Sequence, residues 1–221
     1  MEAILRNPTT ADWITLILFS SILFMVLAKN LFYSRFLNFI ILPFNNKYIF
    51  MYNKKDKLFN WFNIFITGFQ ILNLSLFLFF INEVFFTPVE KHAVETYGAI
   101  LLGLIVFLML KLFFQLSNGF IFNSKSTISE IVFKKLSYLN YSGIIMLLAN
   151  LALNFIFPGS KTVVFTSILL ILLINIMGWA TALRNHQNFI ASNFMYFILY
   201  LCALEIAPII LIGSYLLERS L

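Results

Sequence analysis

Residues Tyr97–Leu116 read YGAILLGLIVFLMLKLFFQL, an apolar run broken by one charge at Lys111 and one amide at Gln115. About 20 such residues suffice for a helix to cross the hydrocarbon core of a bilayer. The apolar character is continuous, not alternating, so the run reads as a helix and not as a barrel strand. The same pattern recurs along the chain. It predicts six crossings, at Trp13–Ala28, Phe59–Phe80, Tyr97–Leu116, Tyr138–Phe157, Thr162–Leu183 and Phe194–Leu217. A helical bundle is one of the two ways to satisfy every backbone polar group in lipid. The expectation is an all-α, polytopic membrane helical bundle with six transmembrane helices, forming a single domain over residues 1–221.

Composition agrees. The chain is 61% hydrophobic and only 11% charged, whereas soluble domains carry roughly 25% charged residues. Its net charge of +6 is not a nucleic-acid signal, because the basic residues lie mostly in the connections between apolar runs and do not cluster on a folded face. The expected partners are the lipid bilayer and a membrane protein or a second copy of the chain, not nucleic acid. The single cysteine, Cys202, lies inside an apolar run and reads as a small hydrophobe. The segment before the first run holds Glu2, Arg6 and Asp12 in place of a basic n-region, and Leu27-Ala28-Lys29-Asn30 is no cleavage site. The first run is therefore expected to remain as a span.

Charge sets the expected threading. The connection after the first span carries Lys29, Arg35, Lys47, Lys54, Lys55 and Lys57 against Asp56. The connection after the third carries Lys125, Lys134 and Lys135 against Glu130, and the one after the fifth carries Arg184 and His186. Basic loops stay cytoplasmic. Both termini are thus expected outside the cytoplasm, in an inner-membrane protein. Lys54, Lys55, Arg184 and His186 are the candidate contacts to lipid headgroups.

Two connections carry structure of their own. Residues 31–52 are aromatic, basic and interrupted by Pro43, too polar to span. They are expected as a short amphipathic segment along the cytoplasmic interface, its apolar side at headgroup level. Within Asn118–Leu136, the quartet Thr127-Ile128-Ser129-Glu130 fits a capping box and predicts a helix starting near Ile128, with Lys134 and Lys135 on a cytoplasmic extension. Phe157-Pro158-Gly159-Ser160-Lys161 is a tight turn that makes the fourth and fifth spans antiparallel neighbours.

Polar residues inside spans fall into stripes at helical spacing. Asn63, Gln70 and Asn73 share a face of the second span; Lys111, Gln115 and Asn118 share one of the third; Asn150 and Asn154 are one turn apart in the fourth; Asn175 is alone in the fifth. Such stripes either hydrogen-bond between helices or line a hydrated path. In the sixth span, Glu205 is an acid at bilayer depth, which makes it a functional-site candidate. Pro208 removes the backbone donor to the Leu204 carbonyl and predicts a kink beside it. Lys111 is the basic residue at comparable depth, so a Lys111–Glu205 ion pair joining spans three and six is expected, with snorkelling of Lys111 to the headgroups as the competing reading. Ala203 and Ala207 form a small-residue pair for close helix approach, and Gly178 and Ala182 offer a matching surface.

Catalytic patterns are missing from the sequence. His92 and Glu95 supply two metal ligands where a site needs more. There is no phosphate loop, nucleophile elbow or cysteine pair. No catalytic residue, metal or cofactor is expected.

The segment Tyr200-Leu201-Cys202-Ala203-Leu204-Glu205-Ile206-Ala207-Pro208 resembles a Tyr-Leu-Cys-x-Leu-Glu-Ile-x-Pro signature near the chain end of a family of Bacteroidota integral membrane proteins of unassigned function. The length, the lysine late in the third span and the Asn- and Phe-rich composition extend the likeness along the chain. The resemblance implies an inner membrane and supplies no activity. The leading expectation is a non-enzymatic subunit or scaffold of an envelope assembly. The alternatives are a small proton-coupled transporter or channel-like device using Glu205, and a lipid-modifying enzyme using the basic rim.

Overall fold

The computed structural model describes residues 8–45, 47–52, 60–85, 93–121 and 125–185. The sixth expected span lies outside the described residues, and with it His186, Cys202, Glu205 and Pro208; so do Lys54, Lys55 and His92. The described residues form helices α1 (Pro8–Leu31), α2 (Tyr33–Ile40), α3 (Lys47–Tyr52), α4 (Trp61–Phe85), α5 (Ala93–Ile121), α6 (Lys125–Leu151) and α7 (Lys161–Asn185). Among them α1, α4, α5, α6 and α7 are long and apolar enough to cross a membrane. No strand occurs among the described residues.

Side-chain contacts fix the direction of each helix. Trp13 meets Phe79 while Phe24 meets Phe65, so α1 and α4 run antiparallel. The Ser75 and Tyr97 hydroxyls are 3.1 Å apart, and Thr67 shares a cavity with Gln115, so α4 and α5 are antiparallel too. Asn140 donates to Thr67, and Asn150 to the Asn73 carbonyl, which makes α4 and α6 parallel. The turn at Pro158-Gly159, with Gly159 at φ 71°, returns the chain as α7 against α6. The left-handed φ is one that glycine adopts without a Cβ penalty. The five long helices therefore alternate in direction, with α4 and α6 at the centre and α5 and α7 the most exposed.

Two apolar clusters fill the bundle. One, at the end holding Trp13, gathers Leu18, Leu76, Phe79, Tyr97, Ala149 and Val164. The other gathers Ala28, Phe39, Tyr48, Phe62, Phe133 and Tyr138 at the opposite end. That second end also carries Lys29, Arg35, Lys47, Lys134, Lys135 and Arg184, while Asp12, Glu83, Glu95 and Lys161 lie toward the first. The alternation of loop charge read from the sequence thus becomes a basic end and a mostly acidic end.

The segment 31–52 differs from the expected interfacial helix. It forms two helices, and Phe36, Phe39, Leu42, Tyr48 and Ile49 turn inward to pack on α1, α4 and α6. Tyr48 stacks on Phe133 at 5.9 Å and 16°. An inward aromatic face gains both burial and ring-edge electrostatics, which a headgroup layer does not supply. A separate row, Leu37, Ile41 and the 89% exposed Phe44, points away from the protein.

Two further boundaries are corrected. α6 begins at Lys125, so Thr127 is already inside the helix and is not its cap. Lys134 and Lys135 are consequently not on a solvated extension: Lys134 is 3% exposed and Lys135 lies over Trp179. The second correction is a π turn at Ala152–Ile156, closed by the Phe157 amide donating to the Ala152 carbonyl at 2.8 Å.

Candidate functional site

Four helices line a partly open pocket of about 110 Å³ toward the basic end. Thr67 comes from α4, Lys111 and Gln115 from α5, Lys135 and Leu139 from α6, and Asn175 and Trp179 from α7. Each polar group arrives for a local reason. Lys111 and Gln115 are four residues apart and so project from one face of α5. Asn175 and Trp179 do the same on α7. Thr67 is held by Asn140, whose Nδ2 donates to its Oγ1 at 3.1 Å.

The electrostatics are one-sided. Among the described residues, the lining holds two lysines and no carboxylate. The Lys135 ammonium sits 3.6 Å from the centre of the Trp179 ring. A cation over an indole face is favourable by about 0.5–2 kcal/mol, depending on desolvation. Gln115 is 4% exposed. The Asn175 amide donates to the Ile171 carbonyl at 2.8 Å. This arrangement combines donors and positive charge, the chemistry that receives an oxyanion.

A second polar system runs beside it between α4 and α6. Asn63, Gln70 and Asn73 are buried on one face, as the stripe in the sequence implies. Asn150 Nδ2 donates to the Asn73 carbonyl at 2.9 Å. Helical side chains tilt toward the N-terminus while carbonyls point toward the C-terminus, so an amide on one of two parallel helices meets a carbonyl below it on the other. Opposite Gln70 stands Gly143, where a Cβ would come within 3.2 Å of the Gln70 Cα. Asn150 thus bonds between helices, whereas the Asn73 amide donates within α4 to the Phe69 carbonyl at 2.8 Å. The stripes are not completely satisfied: Gln70 Nε2 and Oε1, Asn73 Oδ1, Asn140 Oδ1, Asn150 Oδ1 and Asn154 Nδ2 are buried without a protein partner among the described residues.

At the basic end, the Tyr48 hydroxyl donates to Asn63 Oδ1 at 3.3 Å. Burial pushes the Tyr48 phenol well above the usual tyrosine range, and nearby Arg35 opposes that shift. The Arg35 guanidinium in turn lies 4.4 Å from the centre of the Tyr52 ring.

Lys111, Gln115 and Asn118 all fall on α5, and the first two share the cavity. Arg184 is exposed in the last turn of α7. Gly178 does not keep its surface for the sixth span: Tyr138 of α6 already occupies it, so close that a Cβ there would lie 2.6 Å from the Tyr138 Cγ. Lys135, Trp179, Thr67 and Asn140 are site residues that the sequence did not single out. A Lys134-Lys135 pair and a tryptophan seven residues past Leu172 carry no pairing signal until the register of α6 on α7 is known. No group of three or more metal-ligating side chains occurs among the described residues.

The five long apolar helices define a helical, membrane-embedded protein. The chain belongs to the family described as a domain of unknown function, DUF4271, whose model matches residues 14–216. No curated protein and no solved structure matches the chain.

Proposed function

We propose that the chain is a non-enzymatic, membrane-embedded subunit or scaffold of an envelope assembly, with a Lys111–Glu205 ion pair tying its sixth span to α5. The supporting observation is the position of Lys111, half-buried and lining a partly open pocket beside Gln115. An ammonium held inside a bundle favours a carboxylate partner, because removing either member strands the other at a cost of roughly 3–5 kcal/mol. Much of the remaining polar inventory serves helix packing, which fits a structural role. In this reading the basic end faces the cytoplasm of an inner-membrane protein. Exchange of charges tests the pair. Lys111→Glu and Glu205→Lys should each reduce abundance in the membrane, and the double exchange should restore it. Equal loss in the double exchange would rule out direct pairing. Affinity purification from native membrane tests the subunit role, which recovery of the chain by itself would contradict.

A second reading draws on the unpartnered amide atoms between α4 and α6. Internal water satisfies such atoms, and a hydrated stripe beside an intramembrane acid fits a proton-coupled device using Glu205. Glu205→Gln separates the two: lost proton flux in proteoliposomes with normal abundance supports the device, and lost abundance supports the subunit.

A further inference from the structure

We infer that the seam between α4 and α6 binds a file of ordered internal water, entered at the basic end beside Thr67 and running past Gln70 to Asn154. Six buried amide atoms along it have no protein partner among the described residues. Atoms left that way are rare in folded proteins, and bound water is the common remedy. Gln70 is the strongest case, because it is 0% exposed and both its Nε2 and its Oε1 are unpartnered. The register that sets Thr67 against Asn140 also sets Gln70 against Gly143, three residues further along each helix. Gln70 faces α6 directly: a Cβ at Gly143 would lie 3.3 Å from its own Cβ. The file deepens the second reading above, on which it rests for hydration alone; it requires neither proton movement nor Glu205.

Polarity and spacing identify the ligand. The amide nitrogens of Asn73, Asn140 and Asn150 are already committed, to the Phe69 carbonyl, Thr67 and the Asn73 carbonyl. Their oxygens are what remain to be satisfied. With Gln70 and Asn154 added, four unpartnered oxygens stand against two nitrogens. That surplus of acceptors disfavours an anion and suits water, each molecule of which brings two O–H donors. In the shared register, Asn140, Gln70, Asn73, Asn150 and Asn154 follow one another at about one helical turn, or roughly 5 Å. One water bridges such a gap with two hydrogen bonds of about 2.8 Å. From Asn140 to Asn154 the run covers about 21 Å, roughly two-thirds of a 30 Å hydrocarbon core. Supply comes from the basic end, where Thr67 both accepts from Asn140 and lines the partly open pocket. The pocket has room for several waters at about 30 Å³ of liquid each.

Glutamine side chains report the file. The sequence holds three glutamines, Gln70, Gln115 and Gln187, so ¹⁵N-glutamine labelling of the full chain gives three side-chain amides. Gln70→Leu assigns the one that matters. Solid-state NMR in lipid vesicles measures magnetisation transfer from water to each amide, and its deuteration in heavy water. Gln70 should receive water magnetisation and deuterate within hours despite its burial. Thr67→Val, which removes the hydroxyl at the entrance, should slow that deuteration roughly tenfold or more. Thr67→Ser keeps the hydroxyl and should match the parent, which separates the entrance from a folding defect. Asn154→Leu, at the far end, should leave the rate at Gln70 within about twofold. A Gln70 amide that takes no magnetisation from water and stays protonated for days would overturn the file. Slowing by Asn154→Leu with none by Thr67→Val would overturn the entrance. A shift of the Gln70 signal on exchanging choline for sodium would overturn water as the ligand. Proton flux in proteoliposomes is read separately. A wet Gln70 without flux leaves the file standing and removes the proton-coupled device; a dry Gln70 with flux does the reverse.

Discussion

The contact between Gly178 and Tyr138 gives a sharp test of how α6 and α7 are held. A methyl group added at Gly178 would lie 2.6 Å from the Tyr138 Cγ, 2.7 Å from its Cβ and 2.9 Å from its Cδ2. These atoms are close to the α6 backbone, so no rotamer change clears them. Ordinary carbon contacts are about 3.5–4.0 Å, and the helices must therefore part by roughly 1 Å. Overpacking of that kind costs about 1–3 kcal/mol. Ala also gains up to about 1 kcal/mol over Gly in a helix interior, which offsets part of the loss. Gly103→Ala isolates that gain, because among the described residues nothing lies within 4 Å of a Cβ at Gly103. The decisive quantity is the difference between the two variants, about 1–3 kcal/mol in disfavour of Gly178→Ala. Unfolding by SDS in mixed micelles measures both. Separation of α6 from α7 should also disturb the neighbouring Lys135–Trp179 contact and shift Trp179 emission. Equal stability of the two alanine variants would refute the close approach.

Two other outcomes follow from the basic end. Tyr48 is buried and its phenol titrates above the ordinary tyrosine value, chiefly through desolvation. A group whose folded-state pKa is raised keeps its full contribution below the unfolded pKa of about 10 and loses it as pH climbs beyond that value. Stability should therefore be level through neutral pH and fall above about pH 10, and Tyr48→Phe should flatten the part of that fall due to Tyr48; an identical alkaline slope in the variant would contradict it. Phe44, 89% exposed between α2 and α3, reports topology. In a Cys202→Ser background, and with the proposed inner-membrane orientation, Phe44→Cys should react with an impermeant maleimide in whole cells only after the inner membrane is permeabilised; labelling of intact spheroplasts would reverse that proposal.

The sequence makes the long helices and their alternation legible because membrane burial acts on each segment alone. Runs such as Tyr97–Leu116 must be helical whatever they touch. Charge is legible for the same reason, since each loop is sorted by its own lysines. Contacts between helices are a different matter. Lys134 and Lys135 read as residues of a cytoplasmic helical extension, yet Lys134 is buried and Lys135 lies over the Trp179 ring. Thr127-Ile128-Ser129-Glu130 matches a capping box in composition but lies too far into the helix. The apolar side of 31–52 was visible, while the direction it faces depends on Phe62 and Phe133, which arrive from elsewhere in the chain. The cavity brings together α4, α5, α6 and α7, and no periodicity within one helix encodes that meeting.

The two polar systems share Thr67, and that junction explains why the cavity can be well placed in a bundle built largely of Phe, Leu and Ile. Aliphatic and aromatic faces pack in many registers with little difference in energy, and lipid competes for the same surfaces. Amides do not have that freedom. Asn150 must find the Asn73 carbonyl and Asn140 must find Thr67, or each leaves a buried group unsatisfied at about 1–3 kcal/mol. The parallel pair α4 and α6 is joined by no direct loop, so these bonds and the close approach at Gly143 set its register. Once that register is fixed, Thr67 and Lys135 line the same pocket, and Tyr138 is presented to Gly178. Polar pairing within the core thus positions the basic site, and variants that break an amide pair should disturb Trp179 before they touch any residue that lines the cavity.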